Sequence, residues 1–236
     1  MLAKQIFNNA RQENRTTLTE IESKELLKKA GIPVIETALA TTKKEAVSLS
    51  KQIGFPIVMK IVSPDIIHKS DSGGVKLSLT NVTQIRRAYS EIMLSMKGKF
   101  PQSRVHGVAI QKMARPGIEV IVGLNKDAQF GPIIMFGLGG ILVEMLEDVS
   151  FRLVPVTTKD AEEMIKEIRG YPLLRGYRGQ EPVDIALLER FIVRVSRFAE
   201  IYPQVKELDL NPIFAYADNA LAVDARITLE VHEIGL

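Results

Sequence analysis

Residues 57–79 read IVMKIVSPDIIHKSDSGGVKLSL. The run from Ile57 to Val62 suits a strand buried on both faces, and Lys60 is the one charge inside it. Val75 to Leu79 reads as a second strand, entered through Gly73 and Gly74. A charge on a buried strand is costly without a partner, so Lys60 demands an anion. A phosphate oxygen satisfies that demand, and so does a carboxylate from a facing subdomain.

Working outward, Leu2, Ile6 and Ala10 recur at helical spacing, and Thr19 precedes EIESKELLKKAG, closed by Gly31 and Pro33 as a capped helix is. VIETALA predicts a strand and TKKEAVSLSKQIG a helix ended by Gly54 and Pro56. After the quoted stretch come a helix over NVTQIRRAYSEIMLSMKG and a strand over VHGVAIQKM, broken by the turn cluster Ala114 to Gly117. Beyond it, IEVIVGL and GPIIMFGLGG predict an antiparallel hairpin joined by NKDAQF, and FRLVPV a short strand. Helices over about 158–169 and 182–201 precede KELDLNPIF, a turn at Asp218 and Asn219, and a last strand over LAVDARI. The expected class is α+β: a helical extension over 1–18, a first subdomain over 19–112 and a second over 113–236.

Composition narrows the function. The chain has 236 residues, 46% hydrophobic and 25% charged, with 31 Lys and Arg against 28 Asp and Glu. That is a globular chain with a sizeable core, and the near-balance of charge, without basic runs interleaved with aromatics, argues against a nucleic-acid surface. The absence of cysteine excludes disulfides, thiolate metal sites and a cysteine nucleophile. No apolar stretch reaches the roughly 20 residues of a membrane span. The start, MLAKQIFNNARQENR, lacks the apolar core of a signal peptide, so the cytoplasm is the expected compartment.

Residues two apart on a strand share a face, so Asp209 and Asn211 point the same way. A turn centred on Tyr216 to Asn219 sets Asn211 opposite Asp224. Two carboxylates and an amide oxygen on one face suit Mg2+ held together with a nucleotide; the same residues also suit a solvated outer face. His68 precedes the glycine pair, which lets backbone amides approach an anion. Its imidazole is a candidate phosphoryl acceptor, although on the residues alone an exposed loop histidine is the commoner reading. Gly137, Gly139 and Gly140 only superficially resemble a dinucleotide fingerprint, since the third glycine is misplaced and no crossover follows. A tight turn backed by Glu144, with a possible role in a phosphate or catalytic loop, is the expectation there.

Lys60 on its strand, SGGVK at 72–76, IQKM at 110–113, Glu119, FGLGGILVE at 136–144, DLNP at 209–212 and VDARI at 223–227 form a set whose order and spacing are specific. The chain resembles the ATP-grasp β subunit of ADP-forming acetyl-CoA synthetases, relatives of succinyl-CoA synthetase. The resemblance implies an ATP-grasp fold of two α/β subdomains with ATP or ADP between them. It implies that Lys60 meets the α- and β-phosphates beside Gly73 and Gly74, that Gln111, Lys112 and Met113 form a hinge strand whose backbone meets adenine, and that Glu119 reaches the ribose. It further implies Mg2+ on Asn211 and Asp224, His68 as a second phosphohistidine, and Asp209 where the succinyl enzyme carries a glutamate that orients the phosphorylated histidine. The implied reaction converts acyl-CoA, ADP and phosphate to free acid, ATP and CoA. An α subunit carrying the CoA-binding domain and the first phosphohistidine, in an α2β2 heterotetramer, is the implied partner. A stand-alone ATP-grasp carboxylate–amine ligase and a non-catalytic nucleotide-binding module are the other readings of the same residues.

Overall fold

A computed structural model of the chain describes residues 2–66, 69–140, 147–177, 179 and 181–230. Two compact units emerge: a larger one of residues 1–18, 23–34 and 116–236, and a smaller one of 19–22 and 35–115. Residues 1–18 thus cluster with the second half of the chain, and the chain passes between units at Arg115 and Pro116. Helix α1 is Leu2–Gln12 and α2 is Glu20–Lys29, the first turn of α2 belonging to the smaller unit and the rest to the larger.

The smaller unit is built on strands β1 (Thr37–Ala40), β2 (Ile57–Val62), β3 (Val75–Leu79) and β4 (Gly107–Lys112), in the order β1-β4-β2-β3. Every pairing in it is antiparallel. Helices α3 (Lys43–Ile53) and α4 (Val82–Lys99) pack against this sheet. Thr42 and Glu45 form a reciprocal capping box at the start of α3, and the Asn81 side chain caps α4 by accepting from the Gln84 amide; each such cap is worth about 1 kcal/mol. Ile85, Ala88, Ile92 and Met96 line one stripe of α4 and bury it against Ile57, Met59 and Ile61. With β4 on one side and β3 on the other, β2 is central, and all six of its residues are buried. The apolar run read from the sequence has its cause there.

In the larger unit, strands β5 (Ile118–Asp127), β6 (Gly131–Leu138), β7 (Val149–Leu153), β8 (Val205–Ala215), β9 (Ala220–Ala222) and β10 (Arg226–Leu229) form an antiparallel sheet ordered β10-β8-β5-β6-β7, with β9 also on β8. The hairpin of β5 and β6 is tighter than the sequence suggests. Its strands run on to Asp127 and Gly131, because the Asp127 carboxylate accepts from the Gln129 and Phe130 amides at 2.7 and 2.9 Å and closes the turn. Helices α5 (Thr158–Glu167) and α7 (Ile185–Ile201), with the short α6 (Tyr171–Leu174) between them in sequence, bring Met164, Phe191, Val195 and Phe198 onto the core with Val122, Phe136 and Leu210. Ile6, Phe7 and Ala10 of α1 and Leu26 and Leu27 of α2 join the same core. The expected last strand over LAVDARI is two strands, interrupted at Val223 to Ala225. Among the described residues, no helix is long and apolar enough to cross a membrane.

Candidate functional site

In the smaller unit the demand made by Lys60 is met by Glu20. Thr19 and Glu22 set up the start of α2: the Thr19 amide donates to the Glu22 carboxylate at 2.7 Å, and the Glu22 amide to the Thr19 hydroxyl at 3.3 Å. Glu20 therefore sits in the first helical turn. Lys60 Nζ donates to Glu20 Oε1 at 2.9 Å and Lys69 Nζ to Glu20 Oε2 at 2.6 Å, with only 1% of the Glu20 side chain exposed. The ion-pair requirement is thus satisfied from within the same unit rather than from a facing subdomain. Removing one member of so buried a group costs roughly 3–5 kcal/mol.

The segment after β2 is tied at both ends. The Asp65 carboxylate accepts from the Arg104 amide at 2.7 Å and its guanidinium at 2.8 Å, and these bonds hold the carboxyl below its ordinary value. At the other end the Gly73 amide donates to Ser70 O at 3.0 Å and the Gly74 amide to Lys69 O at 2.7 Å, while Gly74 O accepts from the Ile61 amide at 2.7 Å. This corrects one expectation: both glycine amides point into their own turn and present no cradle to an anion. The glycines serve packing instead. A Cβ at Gly74 would fall 2.5 Å from Ile61 Cγ2, and Gly73 holds φ at +78°. His68 lies outside the described residues.

At the end of β4, Gln111 is buried, its side-chain oxygen accepting from the Thr37 hydroxyl at 3.4 Å. Lys112 Nζ donates to the carbonyls of Gly54 and Phe55 at 3.0 and 2.9 Å, closing the C-terminus of α3. The Met113 amide donates to Pro56 O at 3.1 Å. The lysine's charge is thereby used within the fold.

In the larger unit, Leu208 and Leu210 of β8 face the core while Asp209 and Asn211 take the other face. On one side of the break β8 and β9 pair Ile213 with Ala222; on the other, β8 and β10 pair Asp209 with Arg226. Continuing either ladder inward sets Asp224 opposite Asn211, and a bond from the Val223 amide to Pro212 O at 2.9 Å maintains that alignment. The Asp209 carboxylate meets Arg226 Nη2 at 3.4 Å. Burial pushes the Asp209 carboxyl up, and the nearby charges of Asp224 and Glu207 push it further, against the pull of Arg226. Asp209 is nonetheless half-exposed, its neighbours crowding it without covering it.

Among the described residues, no three His, Cys, Asp or Glu side chains are grouped closely enough to hold a metal ion by themselves. The oxygens of Asn211 and Asp224, beside a further carboxylate, do fit Mg2+, which takes few protein ligands when phosphates and water complete its shell.

Glu119, at the exposed start of β5, accepts from the Gly139 amide at 2.7 Å through its carbonyl. Its side chain lies along the turn at Gly139 and Gly140: a Cβ on Gly140 would stand 3.3 Å from Glu119 Oε2. Glu144 lies outside the described residues. Sequence reading did not single out Glu20, Lys69 or Arg226. The Thr19-x-x-Glu22 capping pattern carried a signal for Glu20, since it fixes where α2 starts, and the hairpin register carried one for Arg226.

The family model described as the ATP-grasp domain matches residues 9–229. The chain is 53% identical to the β subunit of the ADP-forming acetate–CoA ligase I of Pyrococcus furiosus over 227 residues, covering 96% of this chain and 97% of that one. The chain belongs to the ATP-grasp β subunits of ADP-forming acetate–CoA ligases. The fold of this β subunit agrees with that membership: it matches the dinucleotide-forming acetyl-coenzyme A synthetase 1 of Ca. Korarchaeum cryptofilum, in complex with coenzyme A, Ca-AMPCP and HgCl+, with a TM-score of 0.94 at 45% identity, covering 97% of this chain and 100% of that one. A second structure of that synthetase, with coenzyme A and Mg-AMPPCP and its phosphohistidine segment pointing towards the nucleotide-binding site, matches with a TM-score of 0.86 at 43% identity over 97% and 100% of the two chains. As an ATP-grasp β subunit, the chain is a nucleotide-binding ligase component, within which the buried lysine of β2 and the acidic face of β8 hold the candidate chemistry.

Proposed function

We propose that this β subunit binds ADP or ATP with Mg2+ and carries the phosphoryl-transfer half of a reversible reaction in which acyl-CoA, ADP and phosphate become free acid, ATP and CoA. Lys60 is the observation that carries the reading: a lysine on a central, fully buried strand, its ammonium held in place by a neighbouring carboxylate. Phosphoryl transfer asks for positioned positive charge more than for covalent chemistry by the protein. Lys60 meets the α- and β-phosphates, the backbone at Gln111, Lys112 and Met113 meets adenine, and Glu119 accepts from the ribose hydroxyls. Asn211 and Asp224 hold Mg2+, which when bound screens phosphate charge and orients the terminal phosphoryl group.

His68 takes that group. A ring nitrogen attacks the γ-phosphorus, the bond to the β-phosphate oxygen of ATP breaks, and ADP leaves with the electron pair. Asp209 orients a phosphorylated histidine; its carboxyl, on the face of β8 that carries Asn211, suits a hydrogen bond to imidazole. Gly139 and Gly140 border the ribose-binding glutamate, and Glu144 serves the same loop. An α subunit carrying the CoA-binding domain and another phosphohistidine completes the cycle, in an α2β2 assembly in the cytoplasm. Support for a separate partner comes from the Pyrococcus relative, which is named as a β subunit and matched over nearly its whole length.

The test is to incubate the purified chain, with and without its partner, with γ-labelled ATP and Mg2+. The reading expects acid-labile, base-stable label on the chain that disappears in His68→Ala. Label on neither chain would sink it, and a product formed from an acid and an amine would favour the carboxylate–amine ligase.

A further inference from the structure

We infer that Glu20 is the positioning residue that sets Lys60 and Lys69 as a pair for the phosphates of the nucleotide. The inference rests on the proposed role of Lys60. Three separate pieces of chain meet at the Glu20 carboxylate: the first turn of α2, the central strand β2 and the turn that leads into β3. Each oxygen takes one lysine, Oε1 from Lys60 at 2.9 Å and Oε2 from Lys69 at 2.6 Å. The distance between the two ammonium groups is therefore set by the width of one carboxylate.

Each member is also held at its backbone. Glu20 is fixed by the capping exchange of Thr19 with Glu22. Lys60 sits in ladders with β3 and β4. The Lys69 carbonyl accepts from the Gly74 amide at 2.7 Å and the Ser72 hydroxyl at 2.8 Å. The carboxylate thus holds the two cations at a fixed spacing before a nucleotide phosphate arrives. Lys69 thereby becomes a second phosphate ligand. Glutamine at position 20 keeps the shape but not the bridge: it offers one acceptor end and turns its amide nitrogen toward the other lysine.

The experiment uses the complex of this chain with its partner subunit, assayed with Mg-ADP, phosphate and acetyl-CoA. Glu20→Gln, Glu20→Asp, Lys60→Gln, Lys69→Gln and the double variant E20Q/K60Q are compared, with thermal unfolding as a check on folding. Glu20→Gln is expected to lower kcat/KM for ADP by about 30-fold, with Glu20→Asp recovering part of the loss. Because Glu20 acts through Lys60, the double variant should lose little more than Lys60→Gln alone. Wild-type kinetics in folded Glu20→Gln, or losses that multiply in the double variant, overturn the inference. Should Glu20→Gln not fold, Lys69→Gln carries the test: a KM for ADP raised about tenfold supports the pair, and an unchanged KM overturns it. Unaltered Mg-ADP affinity in Lys60→Gln would instead overturn the phosphate role of Lys60 itself.

Discussion

Gly139 stands so close to Glu119 that a Cβ on the glycine would fall 2.9 Å from the glutamate's own Cβ, while the Gly139 amide donates to the Glu119 carbonyl at 2.7 Å. Alanine at 139 must displace the start of β5 or the glutamate. An overpacking cost of about 1–3 kcal/mol is expected as a lower unfolding midpoint. The KM for Mg-ADP should rise in both Gly139→Ala and Glu119→Gln; steady-state kinetics with an unchanged KM in Gly139→Ala would separate this turn from the nucleotide.

Arg226 is the cation that opposes the upward push on the Asp209 carboxyl. In Arg226→Gln that opposition is gone while Asp224 and Glu207 remain, so Asp209 should hold its proton to higher pH, as read by carboxyl NMR. The raised folded value also fixes the sign for stability. The ionised form is disfavoured by folding, so the loss sets in as pH climbs from the unfolded value near 3.9 through the folded one. Asp209→Asn should therefore be neutral in acid and more stable than wild type near neutrality, yet defective in phosphohistidine turnover. A destabilised Asp209→Asn at neutral pH contradicts this.

Asp65 behaves in the opposite sense. Its carboxyl is held below the ordinary value by Arg104, so its contribution to stability is present above the unfolded pKa and lost as pH falls through the folded one. Both side chains are partly exposed, which limits the expected cost of Asp65→Asn to about 1 kcal/mol at neutral pH. Urea unfolding of the two proteins should converge in acid, where wild-type Asp65 is itself protonated.

Asp224→Ala should abolish the gain in ADP affinity that Mg2+ confers and leave metal-free ADP binding near wild type. Titration calorimetry with Mg2+ and with a chelator separates the two. A persistent Mg2+ effect would move the metal away from Asn211 and Asp224.

Much of this was legible because it depends on local periodicity. The buried run around Lys60, the end of α3 at Gly54, and the hairpin register that sets Asn211 against Asp224 all follow from neighbours in sequence. Glu20 was not legible as a partner, because 40 positions separate it from Lys60 and only the tertiary fold joins them. The glycine pair misled for a related reason: sequence shows that an amide is accessible in principle, while the bond from Gly74 to Lys69 shows that it is already used. Lys112 is similar, its charge spent on the carbonyls that end α3. The break at Val223 to Ala225 falls on Asp224 and Ala225, both disfavoured in strands, a marker outweighed by the apolar residues Leu221, Val223 and Ile227 around them.

That break has a practical side. The ladders on either side of it keep a single register, so the place of Asp224 along β8 is held by β9 and β10 in the register begun by the turn at Tyr216 to Asn219, which closes through the Tyr216 amide and Asn219 O at 2.8 Å. Ala217 and Asn219 are exposed at its tip. Exposed loop tips of this kind accept grafts, so a fluorophore or a short tag placed at Ala217 would ride on the hairpin that carries Asp224. The label would then sit on the hairpin of the proposed metal ligand while leaving its residues unaltered.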